Sequence, residues 1–548
     1  MIQKIIKLKL YFSLILLLSY CSKDNNNDTI DPSTTTTASK LLKANGGNII
    51  DENGNNVFLK GVAFGNDFWF SNISTTHHNE IDFQRVKNMG MNTIRFYLNY
   101  NFFEDDANPY NYKETAWDWL DQNIAWAKKN NIYLVLNMHT PQGGYQSQGN
   151  GSALWEVEEN QNRLIALWKA IAERYKDEPT IAGFGPLNEP VPTVSKAKWN
   201  LLAQKLIDGI REVDEHHLLF IEKAIYIQNS NEGYENLNFP EVEGDNLVYE
   251  FHSYEPYLYT HQLFDWANLG DGGKYPDENY VEETTGSWYT AIFNNPNINA
   301  GTSNWTYFEG IKYAITDSKI SYAIPALIGE NVEGTVYYDN IVIKEYDEND
   351  NYIRDINDFD FNTQQGWSYW SADDIGEGGF STSIGYNDQS SIYIKNATAD
   401  CNMSGYNYKF IPKQGFKYQI SGYMKGSNIA NNAACKLRLD FYTTEGSVLT
   451  RNKEYLEYTL NNYINWAKTK NVPLFLGEFG LGKHCFENNK GGLQFVDDML
   501  DIILENDLHF IYHAYHEDAF GIYRGHNALP SISNANNDLI NLLSNKLR

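Results

Sequence analysis

From residue 61 to residue 251 the chain repeats one pattern, a short apolar run followed by a longer amphipathic stretch. The runs Gly61 to Phe64, Thr93 to Leu98, Ile132 to Met138, Ile181 to Leu187, Leu218 to Ile221 and Leu247 to Phe251 read as buried strands. Between them, Trp117 to Asn130, Leu164 to Tyr175 and Trp199 to Val213 carry apolar residues at helical spacing. Strands apolar on both faces that alternate with helices are βα units, with the strands parallel. Beyond a long break come a helix over Asn452 to Lys468, strands at Pro473 to Leu476 and Phe510 to Ala514, and a helix at Asn537 to Leu547. Eight such strands predict an α/β fold, a (β/α)8 TIM barrel.

The break is a domain of another class. Residues 286–449 hold short alternating strands, Gly-rich turns and much Tyr, Thr and Ile, as in Thr335 to Lys344 and Lys417 to Met424. That is an all-β sandwich pattern. The expected organisation is therefore barrel over residues 43–285, inserted β-domain over 286–449, and barrel again over 450–548. Gly46 to Leu59 reads as a hairpin turning at Asn53-Gly54.

Residues 1–21 read as a targeting segment, with Lys4, Lys7 and Lys9 ahead of an apolar stretch from Leu10 to Leu18 too short to span a bilayer. Residues 22–42 are rich in Asp, Asn, Ser and Thr and read as a flexible tether. The net charge of −27 excludes nucleic acid as a partner, because phosphate binding needs clustered cations. Aromatics make up 15% of the chain, enough for stacking on flat sugar rings as well as for core packing. Cys401 and Cys435 lie in the β-domain and can pair in an oxidising compartment, while Cys485 stands alone. No Cys/His spacing matches a zinc set, and no dense carboxylate loop marks a calcium site.

Two of the strand runs stop at a carboxylate. Ile181 to Pro190 leads into Asn188-Glu189-Pro190, and Val472 to Gly480 leads into Gly477-Glu478-Phe479-Gly480. The C-terminal ends of barrel strands are where a barrel places its working groups. Two converging carboxylates are what glycosidic hydrolysis requires, one as acid/base and one as nucleophile.

These motifs resemble glycoside hydrolase family 5, the cellulase/mannanase-type retaining enzymes of the (β/α)8 group, over about residues 43–285 and 450–548. The resemblance implies Glu189 as acid/base and Glu478 as nucleophile, with Arg95 supporting the nucleophile and Asn188 bonding the sugar 2-hydroxyl. It maps His139, His252 and Tyr254 to substrate-binding positions of the family. The family usually has a Trp after strand eight, but this chain has none after Trp466, so His513 or Tyr515 is expected in that place. The insert is similar to jelly-roll carbohydrate-binding modules, with Trp367, Tyr369 and Trp370 as candidate stacking residues. Leu18 to Cys21 resembles a bacterial lipobox with Cys21 as the lipidated residue, followed by an acidic export tag. The implied protein is a monomeric outer-membrane lipoprotein, facing the cell surface or the periplasm, that cleaves a polysaccharide or oligosaccharide without metal or cofactor. Two alternatives stand beside it, an inactive surface glycan-binding protein and an exo-acting glycosidase.

Overall fold

The computed structural model describes residues 41–230, 236–362 and 366–548. The targeting segment, Cys21 and the tether up to residue 40 lie outside the described residues. No helix among the described residues is long and apolar enough to cross a membrane.

Eight parallel strands close a barrel: β1 (Lys60–Phe64), β2 (Thr93–Asn99), β3 (Tyr133–Thr140), β4 (Ile181–Gly185), β5 (Leu218–Glu222), β6 (Leu247–His252), β7 (Leu474–Phe479) and β8 (His509–Tyr512), which pairs with β1. The (β/α)8 architecture expected from the alternation is the one that forms. Along β2, Ile94, Phe96 and Leu98 pack outward among the residues of the helix layer, while Tyr97 faces the barrel interior. On β5, Leu219 and Ile221 face out and Leu218 and Phe220 face in. Near the N-terminal ends of the strands the interior is apolar, with Val135, Phe220, Val248 and Phe475 packed against Leu42 and Ile49. Those last two belong to the N-terminal hairpin, in which Lys43–Asn45 pairs with Asn48–Ile50. Its ladder turns at Gly46-Gly47, with Gly46 at a φ of 57°. The expected turn at Asn53-Gly54 follows it, closed by the Asp51 N–H donating to the Asn55 carbonyl at 2.9 Å and the Val57 N–H to the Ile49 carbonyl at 2.8 Å around an Ile50–Asn56 bridge.

Between β6 and the helix Lys453–Lys470 the chain leaves the barrel and builds two antiparallel sheets. The five-stranded sheet runs, in spatial order, Ser368–Ser371, Cys401–Ser404, Tyr322–Glu330, Ala434–Arg451 and Asp277–Ala291. The larger sheet is centred on Thr335–Tyr346 and Lys417–Ser427. Their facing sides enclose a core that includes Leu327, Val336, Ile343, Ile394, Leu439 and Phe441. The first strand starts at Asp277, well before the expected boundary at 286, because Asp277 to Thr285 is acidic and Thr-rich and hides an edge strand. Asp277 pairs with Arg451, so the domain leaves and rejoins the barrel at one point. Cys401 and Cys435 are buried free thiols, not a disulfide.

The three stacking candidates of the insert do not share a surface. Trp367 packs edge-on against Phe359 at the sandwich core, and Tyr369 packs on the same core with its hydroxyl donating to the Ile375 carbonyl at 2.9 Å. Only Trp370 is exposed.

Candidate active site

Glu478 is buried inside the mouth of the barrel although simple alternation would turn it outward, since Leu474 and Leu476 both face the helices. A register shift between Leu476 and Glu478 against β6 accounts for its inward turn. Every oxygen of its carboxylate is engaged. Oε1 accepts from Arg95 Nη1 at 2.7 Å and from the Tyr97 hydroxyl at 2.5 Å. Oε2 accepts from the Tyr254 hydroxyl at 2.7 Å, with His252 Nδ1 at 3.6 Å and His513 Nδ1 at 3.8 Å. Burial pushes this carboxyl up, but the His252 and His513 imidazoles and the Arg95 guanidinium outweigh it and hold Glu478 well below the usual carboxylate range.

Glu189 is placed differently. Strand β4 ends at Gly185, so this residue stands on the following loop rather than at the strand tip expected from the run to Leu187. Its φ is 43°, in the left-handed region. Its backbone N–H donates to Glu222 Oε2 at 2.9 Å, and its Oε1 lies 2.9 Å from His252 Nδ1. The carboxyl is 14% exposed against 5% for Glu478. One nitrogen of His252 thus touches both carboxyls, at 2.9 and 3.6 Å, and the sum of the two, 6.5 Å, is the widest those oxygens can stand apart.

Arg95 organises the floor. It is fully buried, and besides Glu478 it gives Nη2 to Asn188 Oδ1 at 2.9 Å, with Glu250 Oε1 at 2.7 Å from Nε and Glu222 Oε2 at 3.5 Å from Nη2. Taking the Asn188 oxygen in this way leaves the amide Nδ2 on the other side, 3.4 Å from Ser147 Oγ. His139 is buried and stacks on Tyr97 with centroids 3.9 Å apart, and burial holds its imidazole well below the usual range. His513, just past β8, lies 3.0 Å from the Tyr97 hydroxyl and 3.6 Å from Glu517 Oε1. Burial pulls its proton affinity down, yet Glu478 and Glu517 raise it above the usual imidazole value.

Eight of the nine residues assigned to the barrel site converge here, namely Arg95, His139, Asn188, Glu189, His252, Tyr254, Glu478 and His513. Tyr515 does not. Its ring packs at 4.7 Å on Phe64 and its hydroxyl donates to Asp82 at 2.7 Å, so it belongs to the core behind β1.

Three members went unread in the sequence. Tyr97 sits two residues after Arg95 and shares its inward face. Glu222 ends the run Leu-Leu-Phe-Ile-Glu, and Glu250 stands two before His252. A charged residue inside an apolar strand run was the available signal. Glu189, Glu222 and His252 also bring one ligand atom each to within 4.8 Å of one another. The direct Glu189–His252 contact suits this trio to holding protons between its own members. Two exposed tryptophans end aromatic rows that start at the tyrosine partners of Glu478. Tyr97, His139, Phe68 and Trp69 form one, and Tyr254, His261 and Trp266 the other.

The family model for Cellulase (glycosyl hydrolase family 5) matches residues 50–374. A beta-xylosidase of Phanerodontia chrysosporium is 29% identical over 252 residues, which cover 39% of this chain and 52% of that protein. Endoglucanase C of Acetivibrio thermocellus is 34% identical over 188 residues, covering 34% of this chain and 53% of that protein. Cellodextrinase A of Ruminococcus flavefaciens is 25% identical over 269 residues, covering 47% and 76%. The chain spans about half the length of the first two of these relatives. Among solved structures, endoglucanase Cel5A of Thermotoga maritima aligns at 16% identity with a TM-score of 0.46, covering 89% of this chain and 97% of that one.

Proposed function

The chain belongs to the cellulase family, glycosyl hydrolase family 5, and from that membership we propose a retaining glycoside hydrolase acting on β-linked sugar chains. The observation that carries the mechanism is the carboxyl pair meeting on one nitrogen of His252. An oxygen separation of at most 6.5 Å, the sum of 2.9 and 3.6 Å, suits direct displacement. Retaining enzymes hold their carboxyls about 5–5.5 Å apart, whereas inverting ones leave about 6.5–9.5 Å for a water.

Glu478, kept ionised by Arg95, Tyr97 and Tyr254, attacks the anomeric carbon while Glu189 gives its proton to the departing oxygen. The imidazole of His252, 2.9 Å away, then supports the new Glu189 carboxylate by donating from Nδ1. In the second half, water attacks the glycosyl-enzyme, Glu189 takes its proton and Glu478 leaves. Asn188 Nδ2 is free of Arg95 and suited to the sugar 2-hydroxyl, a bond that strengthens as charge develops. Trp69 and Trp266 extend the cleft as ring-stacking ends, which favours binding several linked sugars.

The relatives are named a beta-xylosidase, an endoglucanase and a cellodextrinase, and a β-glucan or β-mannan-like chain is the substrate class proposed here. Support for a lipid-anchored placement comes from the sequence between Lys4 and Cys21 alone. The inserted sandwich is proposed to bind carbohydrate. Hydrolysis of a β-glucan or glucomannan followed by proton NMR should release the β-anomer first; initial release of the α-anomer would refute Glu478 as nucleophile.

A further inference from the structure

The five-stranded sheet of the inserted domain has an outward face whose cleft is lined by residues of the insert. On the strand Ala434–Arg451, Leu437, Leu439 and Phe441 point into the sandwich core, so Lys436, Arg438 and Asp440 point out of it. On Cys401–Ser404 the core takes Cys401 and Met403, which turns Asn402 outward. Register then aligns one outward row across four strands, with Trp370 opposite Asn402, Asn402 opposite Ile328, and Ile328 opposite Lys436. The fifth strand adds Trp288. These residues line a cleft of about 390 Å3 that also includes Phe293 and Arg438.

Three large rings in this cleft stay open to solvent, Trp288 at 50%, Phe293 at 53% and Trp370 at 54%. Clustered exposed aromatics cost solubility and mark a binding surface more than a packing fault. Two of the rings meet edge-on, Trp288 and Phe293, with centroids 6.2 Å apart. Asp440, a polar neighbour of the Trp288 side chain, is gripped by Arg438, at 2.5 Å through Nε and 2.8 Å through Nη2. Lys436 Nζ donates to the Phe293 carbonyl at 3.0 Å. The cations of the cleft are thus engaged within it, which suits an uncharged ligand better than an anion. Flat rings with hydrogen-bonding groups between them match the alternating C–H faces and hydroxyl edges of a neutral sugar chain.

We infer that this outward face of the five-stranded sheet is a second carbohydrate site, gripping a neutral β-linked polysaccharide by Trp288 and Trp370 apart from the catalytic cleft. The inference rests on the substrate class assigned to the barrel. It replaces Trp367 and Tyr369, which the core consumes, as the binding residues of the insert.

The test uses the full chain carrying Glu478→Ala, so that no substrate is consumed, in native gels cast with hydroxyethyl cellulose, glucomannan or xylan. Retardation in at least one gel is expected, with apparent affinity falling tenfold or more on adding Trp288→Ala and Trp370→Ala together. Because both rings are exposed, thermal melts should be unchanged, and Trp370→Phe should keep part of the affinity. In the otherwise native chain the double variant should leave turnover of a small aryl glycoside intact. Unchanged retardation in the double variant, or no retardation in any gel, overturns the inference. Absent turnover in the native chain, with retardation still dependent on the two tryptophans, would sink the hydrolase reading and leave this one standing.

Discussion

At the scale of single residues, the site is a question of how four carboxyls share two cations. Glu189, Glu222, Glu250 and Glu478 all lie within 3.6 Å of His252, and three of them also lie within 3.5 Å of Arg95. Burial drives His252 towards neutrality, but Glu222 and Glu478 more than reverse this and hold the imidazolium well above its usual range. The groups facing it are Glu189, Glu222 and Glu478 from neighbouring strands and loops, Glu250 from its own strand, Arg95 and His513 as opposing cations, and the neutral imidazole of His139. Burial pushes the Glu222 carboxyl well above the usual range while the His252 imidazolium opposes that rise, so the two share their charge. Glu222→Gln removes the carboxyl 3.5 Å from Nδ1, so the His252 proton should leave at lower pH. The basic limb of the kcat/KM profile should then move down by roughly one pH unit, with melting little changed. A limb that stays in place would show that Glu222 does not set the charge of His252.

Arg95 permits a stability prediction. Its guanidinium spans Glu478, Asn188 and Glu250 with separate nitrogens, a fork that the single ammonium of lysine cannot reproduce. Arg95→Leu strands buried carboxylates without their cation, and urea unfolding should show a loss of about 3–5 kcal/mol. The charge state of Glu478 gives the pH sense of its own contribution. Its folded carboxyl is depressed, so its stabilisation is present above the unfolded value and fades as pH falls towards the folded one. For chemistry, Glu478→Ala should lower kcat on the order of 10^4-fold, and azide should restore turnover of an activated aryl β-glycoside with an α-glycosyl azide as product. Recovery without that product would place the nucleophile elsewhere.

At the scale of elements, the joint between barrel and insert hangs on Arg451. It is fully buried, bonds the Gly272 carbonyl and Glu282, and lies under Tyr280 with its guanidinium carbon 3.8 Å from the ring centroid. Arg451→Ala should loosen the two strands that carry the insert. Amide exchange over residues 272–282 is expected to accelerate while the barrel strands stay protected; equal protection in both forms would assign the joint to other contacts. Element-scale reading of the sequence was good wherever a strand is buried on both faces, as in Thr-Ile-Arg-Phe-Tyr-Leu of β2. It failed at Asp277 to Thr285, because an edge strand with one solvated side need not be apolar.

For the molecule as a whole, the pairing of Asp277 with Arg451 makes the insert separable. Replacing residues 278–450 by a short Gly-Ser linker should leave a folded barrel that turns over a small aryl glycoside but binds polysaccharide gels poorly. Loss of folding in that deletion would show the barrel needs the insert as a wall.

The order of strands and helices, and hence the barrel, was determined by the sequence alone, because apolar period and length are local properties of the chain. The two glutamates were legible for the same reason, as polar residues ending apolar runs, and most of their neighbours through the family resemblance those motifs carry. What only the tertiary structure decided is how they meet. Glu478 faces inward through a register shift against β6, Glu189 stands on a loop held by Glu222, and Tyr515 turns into the core instead of the cleft. Each of those outcomes depends on pairing with residues far away in the chain, which no local period records.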